Sequence, residues 1–218
     1  GELKKHVDIL NEYNFKALKY KNAAGTDVTV GLPEGHVWLG GEEKAATGIM
    51  FSANIPTEEV FTLPERTNIN GTLVATKPLS LNGTLIEGFS FTVKDGKITE
   101  VRADKGETVL KDAIAVDEGA SYFGEVALVP YDSPISRSGV LFYNTLFDEN
   151  ASCHFAFGDA YPCFAGAEDM NEEELKERGM NRSMTHVDFM VGSEDLEITG
   201  ITHDGREIPV FRNGNFAF

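Results

Sequence analysis

Residues Met184 to Val191 alternate at period two: Thr185, Val187, Phe189 and Val191 fall on one side, and Met184, His186, Asp188 and Met190 on the other. That period belongs to a strand, in which residues two apart share a face. His186 and Asp188 therefore project side by side from a surface otherwise made of methionine. A carboxylate and an imidazole on an apolar face need a partner, because an unpaired buried charge is costly or is neutralised. A divalent metal ion is one such partner, accepting a neutral imidazole and a carboxylate together. A structural His–Asp hydrogen bond at a sheet end is the other, and such pairs are often purely structural. The pair alone leaves both open.

Composition narrows the partners. The 35 acidic against 19 basic residues give a net charge of −16, which repels nucleic acid and anionic membrane surfaces and tolerates cations. Neither nucleic acid nor membrane is expected as a partner. No run approaches the ~18 apolar residues of a membrane span, and no signal-peptide pattern is present. Two cysteines, Cys153 and Cys163, make no disulfide framework, so a cytoplasmic location is expected. Cys153 and His154 point opposite ways in an extended segment, which argues against a joint metal role. At 218 residues the chain can bury a substantial core, and fifteen phenylalanines are available to fill it.

Along the chain, Leu3, Val7 and Leu10 have the spacing of a short amphipathic helix over 3–13. Asp27-Val28-Thr29-Val30 reads as a strand, and the region from Asn70 to Ala103 as all β. Asp95-Gly96 between alternating runs is a hairpin signal, and a last hairpin is expected around His203-Asp204-Gly205. Glu125 opens a strand of small and apolar residues, where a carboxylate is out of place unless paired. Ser136 to Phe147 has helical spacing. His154, Ala156 and Gly158 share a face of a following strand, and the small neighbours leave room for a ligand beside the histidine. Asn171 with Glu174 is an N-cap with a capping-box carboxylate, and Gly179 offers a stop. His203 is read as a turn residue, and His6 and His36 lack an acidic strand context. No repeat or phosphate-binding glycine loop is present. The fold class expected is α+β, with a mixed, mostly antiparallel sheet and a few packed helices.

Four stretches carry a resemblance: NIPTEEVFTLP, DEGASYFGEVALVP, FYNTLFDENASCHFAFGDAYP and THVDFMVGS, in that order from Asn54 to the C-terminus. They resemble the thermophilic metallo-aminopeptidases of the aminopeptidase T and aminopeptidase S type. The resemblance implies Glu59, Glu125, His154, His186 and Asp188 as metal ligands, with Tyr161 beside them. It also implies that residues 1–218 are the C-terminal, metal-binding catalytic domain of a longer aminopeptidase whose N-terminal α/β domain is absent. Homodimers in the full-length protein are implied too.

Five carboxylate and imidazole ligands exceed what one catalytic zinc needs, which points to two divalent ions ~3.5–4 Å apart with a water bridging them. Zinc, cobalt, manganese and magnesium all suit such a mixed donor set. The substrate implied is a peptide with a free N-terminus, hydrolysed at its first peptide bond. Tyr161 is a candidate oxyanion donor or ligand-orienting group. Glu125 is the first candidate for general base, with Glu118 and Glu58 in reserve. Two alternatives stay open: a metal-binding or dimerisation module that is inactive without the N-terminal domain, and a different dinuclear metallohydrolase.

Overall fold

The computed structural model describes residues 1–40, 59–132 and 152–218. The helix expected over 136–147 and the reserve base Glu58 lie outside these residues.

Helix α1 (Glu2–Tyr13) forms where the apolar spacing predicts it and stops at Asn14, whose left-handed backbone (φ 48°) returns an N–H to the Leu10 carbonyl. It is tied to the chain before the third strand by Asn11, whose side chain accepts from Trp38 N–H (2.7 Å) and donates to Trp38 O (3.1 Å).

One sheet has eight strands: β1 (Ala17–Lys21), β2 (Asp27–Gly31), β5 (Ile69–Val74), β8 (Ser90–Lys94), β9 (Lys97–Arg102), β13 (Glu197–Ile201), β14 (Glu207–Arg212) and β15 (Asn215–Phe216). Their spatial order is β15-β14-β13-β1-β2-β5-β8-β9. A second sheet has the order β12-β11-β10-β4-β3, from β3 (Leu39–Gly40), β4 (Val60–Thr62), β10 (Phe123–Leu128), β11 (His154–Gly158) and β12 (His186–Met190). β6 (Leu79–Leu81) and β7 (Thr84–Ile86) form a small separate ribbon. Every described ladder is antiparallel. With α2 (Glu107–Ala113) and α3 (Glu172–Glu177), this is the α+β class expected, at its antiparallel limit.

The turn chemistry follows the sequence. Asp95 (φ 49°) and Gly96 (φ 85°) join β8 to β9 through the double positive-φ turn that suits the strand twist. Asp204-Gly205 lies between β13 and β14, and Asn171 caps α3 by accepting from Glu174 N–H at 2.9 Å.

The core lies between the two sheets. Phe91 of β8 meets Phe123, Phe157 and Phe189 of the five-stranded sheet edge-on, with centroids 5.0–6.5 Å apart. Tyr20 of β1 packs on Phe155. Each buried phenylalanine contributes roughly 1.5–3 kcal/mol. Val60, Val126, Leu128, Phe155, Phe157 and Phe189 all belong to this core, so alternation sends their neighbours to the other face of the five-stranded sheet. There Phe61, Leu63 and Ala127 join a smaller apolar cluster with Phe164, Leu175 and Met180. The polar residues singled out from sequence emerge on this second face.

One expectation needs adjusting. β10 begins at Phe123 rather than at Glu125, and its register against β11 slips between these two residues. Gly124 is the extra residue of a β-bulge, and a Cβ there would stand 2.2 Å from Asp159 O and 2.5 Å from Gly158 O. Phe123 consequently faces the main core while Glu125 faces the second side.

Candidate metal centre

Strand register assembles the centre. Ala156 of β11 is paired with Asp188 on one side and Glu125 on the other. Both carboxylates thus flank a methyl group. Gly158 pairs with His186, and Ala127 pairs with both His154 and Phe61. Glu59, immediately before β4, completes the row from the fourth strand. Glu59, Glu125, His154 and Asp188 are buried, whereas the His186 ring lies at the rim with 30% of its side-chain surface exposed.

His154 Nε2 stands 3.1 Å from Glu125 Oε2, 3.5 Å from Glu59 Oε1 and 3.9 Å from Asp188 Oδ1. His186 Nε2 stands 3.4 Å from Asp188 Oδ2. Two three-residue sets each have one donor atom per residue within 4.8 Å of the others: Glu59, Glu125 and His154, and Glu125, His186 and Asp188. Glu125 belongs to both.

The tautomers follow from the ring partners. His154 Nδ1 meets Ser152 O at 3.1 Å and His186 Nδ1 meets Asp159 O at 2.8 Å. A carbonyl only accepts, so each Nδ1 carries the proton and each Nε2 turns toward the carboxylates, the arrangement that orients metal-ligating imidazoles. Burial works against a charged His154, but its hydrogen bonds to the accepting Glu125 and Glu59 carboxylates and the charges of Glu59 and Asp188 outweigh it and hold its pKa well above the ordinary value. His186 is likewise disfavoured by burial, yet Asp188, Glu125 and the Asp159 carbonyl push it up to about 10. The field of the pocket favours positive charge. Its mixed imidazole–carboxylate donors fit divalent ions of the zinc, cobalt or manganese type.

The Tyr161 ring is edge-on to Phe61 at 6.4 Å, and among the described residues no hydrogen bond joins its hydroxyl to any of the five. Burial, then Cys163 and Glu168, raise its pKa, so it stays a protonated donor at neutral pH. Glu118 is highly exposed and paired with Arg66 at 3.3 Å, and it belongs to neither donor set. Cys153 and Cys163 are buried and form no disulfide; the Cys153 thiol bonds the Val129 backbone, and burial pushes its pKa up to about 12. His6 stacks on Phe216, and His36 is buried with Nδ1 on Pro33 O.

Sequence reasoning missed the backbone carbonyls of Ser152 and Asp159, which carry no side-chain signal. It also missed Gly124, for which a glycine directly before an out-of-place glutamate was the available clue.

Fold and donor set together define an α+β chain that gathers two imidazoles and three carboxylates able to hold a metal ion. The profile of one family, described as thermophilic metalloprotease (M29), matches residues 1–216, and the chain belongs to that family. It is 54% identical over 217 residues to aminopeptidase AmpS of Bacillus subtilis (strain 168), covering 99% of this chain and 53% of that protein. It is 47% identical over 215 residues to aminopeptidase T of Thermus aquaticus, covering 97% of this chain and 51% of that protein. The chain thus spans about half the length of the curated relatives it matches. Among solved structures, wild-type AmpT from Thermus thermophilus superposes with a TM-score of 0.86 at 42% identity, over 100% of this chain and 55% of that one. The 2,5-dihydroxypyridine dioxygenase of Pseudomonas putida KT2440 superposes at 0.62 with 16% identity, over 99% of this chain and 59% of that one; this is a likeness of fold alone.

Proposed function

We propose that this chain is the metal-binding catalytic domain of an aminopeptidase, acting on the first peptide bond of a substrate with a free N-terminus. The observation that carries the proposal is that Glu125 belongs to both donor sets, so that two adjacent positions share one carboxylate. Glu59 and His154 complete an inner, buried position. His186 and Asp188 complete an outer position at the rim.

Divalent ions held in such a pair supply Lewis acidity and a water acidified toward neutral pH, which is the reactive core of two-metal hydrolysis. The chain's own residues do the rest. Ser152 O and Asp159 O hold the two imidazoles by Nδ1–H, so that each Nε2 would present a lone pair once its proton is displaced. The apolar wall of Phe61, Leu63 and Ala127 beside the centre excludes bulk water and strengthens every charge interaction inside it. The α-amino group of a peptide would be received at the exposed rim beside His186, as a neutral amine at the outer position, which would restrict the reaction to the N-terminal residue. Tyr161 is proposed as the donor to the developing oxyanion. Glu125 is proposed as the acceptor of the proton released by the attacking water.

The relatives' names support an aminopeptidase activity, a homodimer of a longer chain is part of the same proposal, and the net charge of −16 weighs against nucleic-acid or membrane partners. No helix among the described residues is long and apolar enough to cross a membrane. The proposal is tested by metal analysis and by release of the N-terminal residue from a short peptide, for the parent and for Glu125→Gln. Two equivalents of metal and turnover in the parent, both lost in the variant, are expected; a parent that is fully loaded and cleaves no peptide would remove the catalytic assignment from this domain.

A further inference from the structure

The two imidazoles are held by different means. His154, the first residue of β11, is fully buried and takes its Nδ1 acceptor, Ser152 O, from two residues away on the same stretch of chain. His186 is the first residue of β12, and the five residues before it, 181–185, belong to no helix or strand. Its acceptor, Asp159 O, comes from the end of β11.

What holds that segment is a pair of aspartates outside the donor cluster. Asp117 accepts from Ser183 Oγ on one oxygen and from Met184 N–H on the other, each at 2.7 Å, and also from Ala120 N–H at 2.8 Å. Asp159 accepts from Ser183 N–H at 3.1 Å and from Arg182 Nη1 at 3.4 Å, while its own N–H donates to Thr185 O at 2.7 Å. Arg182 is itself steadied by a two-pronged pair with Glu172, at 2.8 and 3.0 Å. Buried Asn181 donates to Gly119 O at 2.9 Å and to Gly158 O at 2.7 Å. At Gly119 the turn approaches Arg182 so closely that a Cβ would stand 1.8 Å from Arg182 O. Residues 181–185 are thereby fastened both to the turn that leads into β10, the strand of Glu125, and to the end of β11, the strand of His154.

We propose that this fastening is a positioning device for His186: Asp117 and Asp159 grip residues 182–184 from two sides, and the grip sets the metal affinity of the outer position without touching the inner one. The inference rests on the two-position reading of the centre. Its physical basis is that a ligand imidazole binds well only when its ring is held before the metal arrives, and partners one shell out contribute about 10–100-fold in affinity. The inner position is buried, and its imidazole takes its acceptor from its own stretch of chain. The outer position, at an exposed rim, takes its order from the clamp.

Titration with Co²⁺, followed by calorimetry and by visible absorption, tests this on the chain without any activity assay. The parent is expected to take up two equivalents. Asp117→Ala removes the acceptors of Ser183 and Met184 together and should weaken one equivalent about 10–100-fold while the other keeps its parental affinity. Ser183→Ala deletes a single hydroxyl and should weaken the same equivalent by less; it carries the test if Asp117→Ala does not fold. Two equivalents with parental affinities in Ser183→Ala and in any folded Asp117→Ala, or equal weakening of both equivalents, would overturn the clamp and leave the two-metal reading intact. Fewer than two equivalents in the parent would overturn that reading and the clamp with it.

Discussion

Phe123 and Glu125 are two residues apart in one strand and face opposite sides of the sheet. In a regular strand they would share a face. The bulge at Gly124 separates them: Phe123 packs on Phe91, Phe155 and Phe189 in the main core, while Glu125 reaches to within 3.1 Å of His154 on the other side. The carboxylate common to both donor sets owes its place to a residue that has no side chain.

Gly124→Ala should therefore be costly. The added methyl would stand 2.2 Å from Asp159 O, so either the bulge or the end of β11 must move. A loss of roughly 1–3 kcal/mol is expected from overpacking, together with reduced metal uptake. Denaturant melts and metal analysis measure both, and parental values in each would show that the bulge tolerates a side chain.

Glu125→Gln and Glu59→Gln should differ in stoichiometry. Glu125 belongs to both donor sets and Glu59 to one, so the first substitution should remove or weaken both equivalents and the second mainly one. Metal content after dialysis against a weak chelator distinguishes them. Identical losses would argue against a shared carboxylate.

In the metal-free chain His186 is pushed up to about 10 by Asp188 and Glu125 against the opposing effect of burial, so at pH 7 its Nε2 carries a proton that an incoming ion must displace. Metal binding should release protons at pH 7 and tighten as pH rises. Calorimetry in buffers of different ionisation enthalpy reads the number. The same shift sets a stability trend for the metal-free form. The folded value lies above the ordinary 6.5, so the contribution is fully present below pH 6.5 and is lost as pH rises through about 10. Melting of the metal-free protein across that window should show the decline, and a flat profile would contradict it.

Phe189 sits between the donor strand and the main core, with rings of Phe89, Phe91, Phe123, Phe155 and Phe157 within 6.4 Å of its centroid. Phe189→Ala should cost about 3–5 kcal/mol in urea unfolding. Because Asp188 precedes it in the same strand, metal affinity should fall as well. A small stability change would mean that the sheets close over the gap.

Tyr161→Phe tests the oxyanion role. If the hydroxyl serves the transition state, turnover of a short peptide should fall about 10²–10³-fold with metal content unchanged. Unchanged turnover would leave the ring only its packing against Phe61.

Local patterns in the chain were enough for much of this. Alternation placed His186 and Asp188 on one face and His154, Ala156 and Gly158 on another strand's shared face, because side-chain direction in a strand depends only on parity. Asp95-Gly96, Asn171 and the Leu3–Val7–Leu10 spacing announced their turn, cap and helix for equally local reasons. The resemblance of four short motifs supplied the family, and the profile match over residues 1–216 agrees with it. Tertiary structure decided the rest. Parity within each strand cannot say that Ala156 lies between Glu125 and Asp188, since that depends on the registers of β10 and β12 against β11. Nor can it reveal a bulge that inverts parity at Gly124, or backbone carbonyls of Ser152 and Asp159 that fix two tautomers. These are relations between segments far apart in the chain, and only their packing brings the donor atoms within reach of one another.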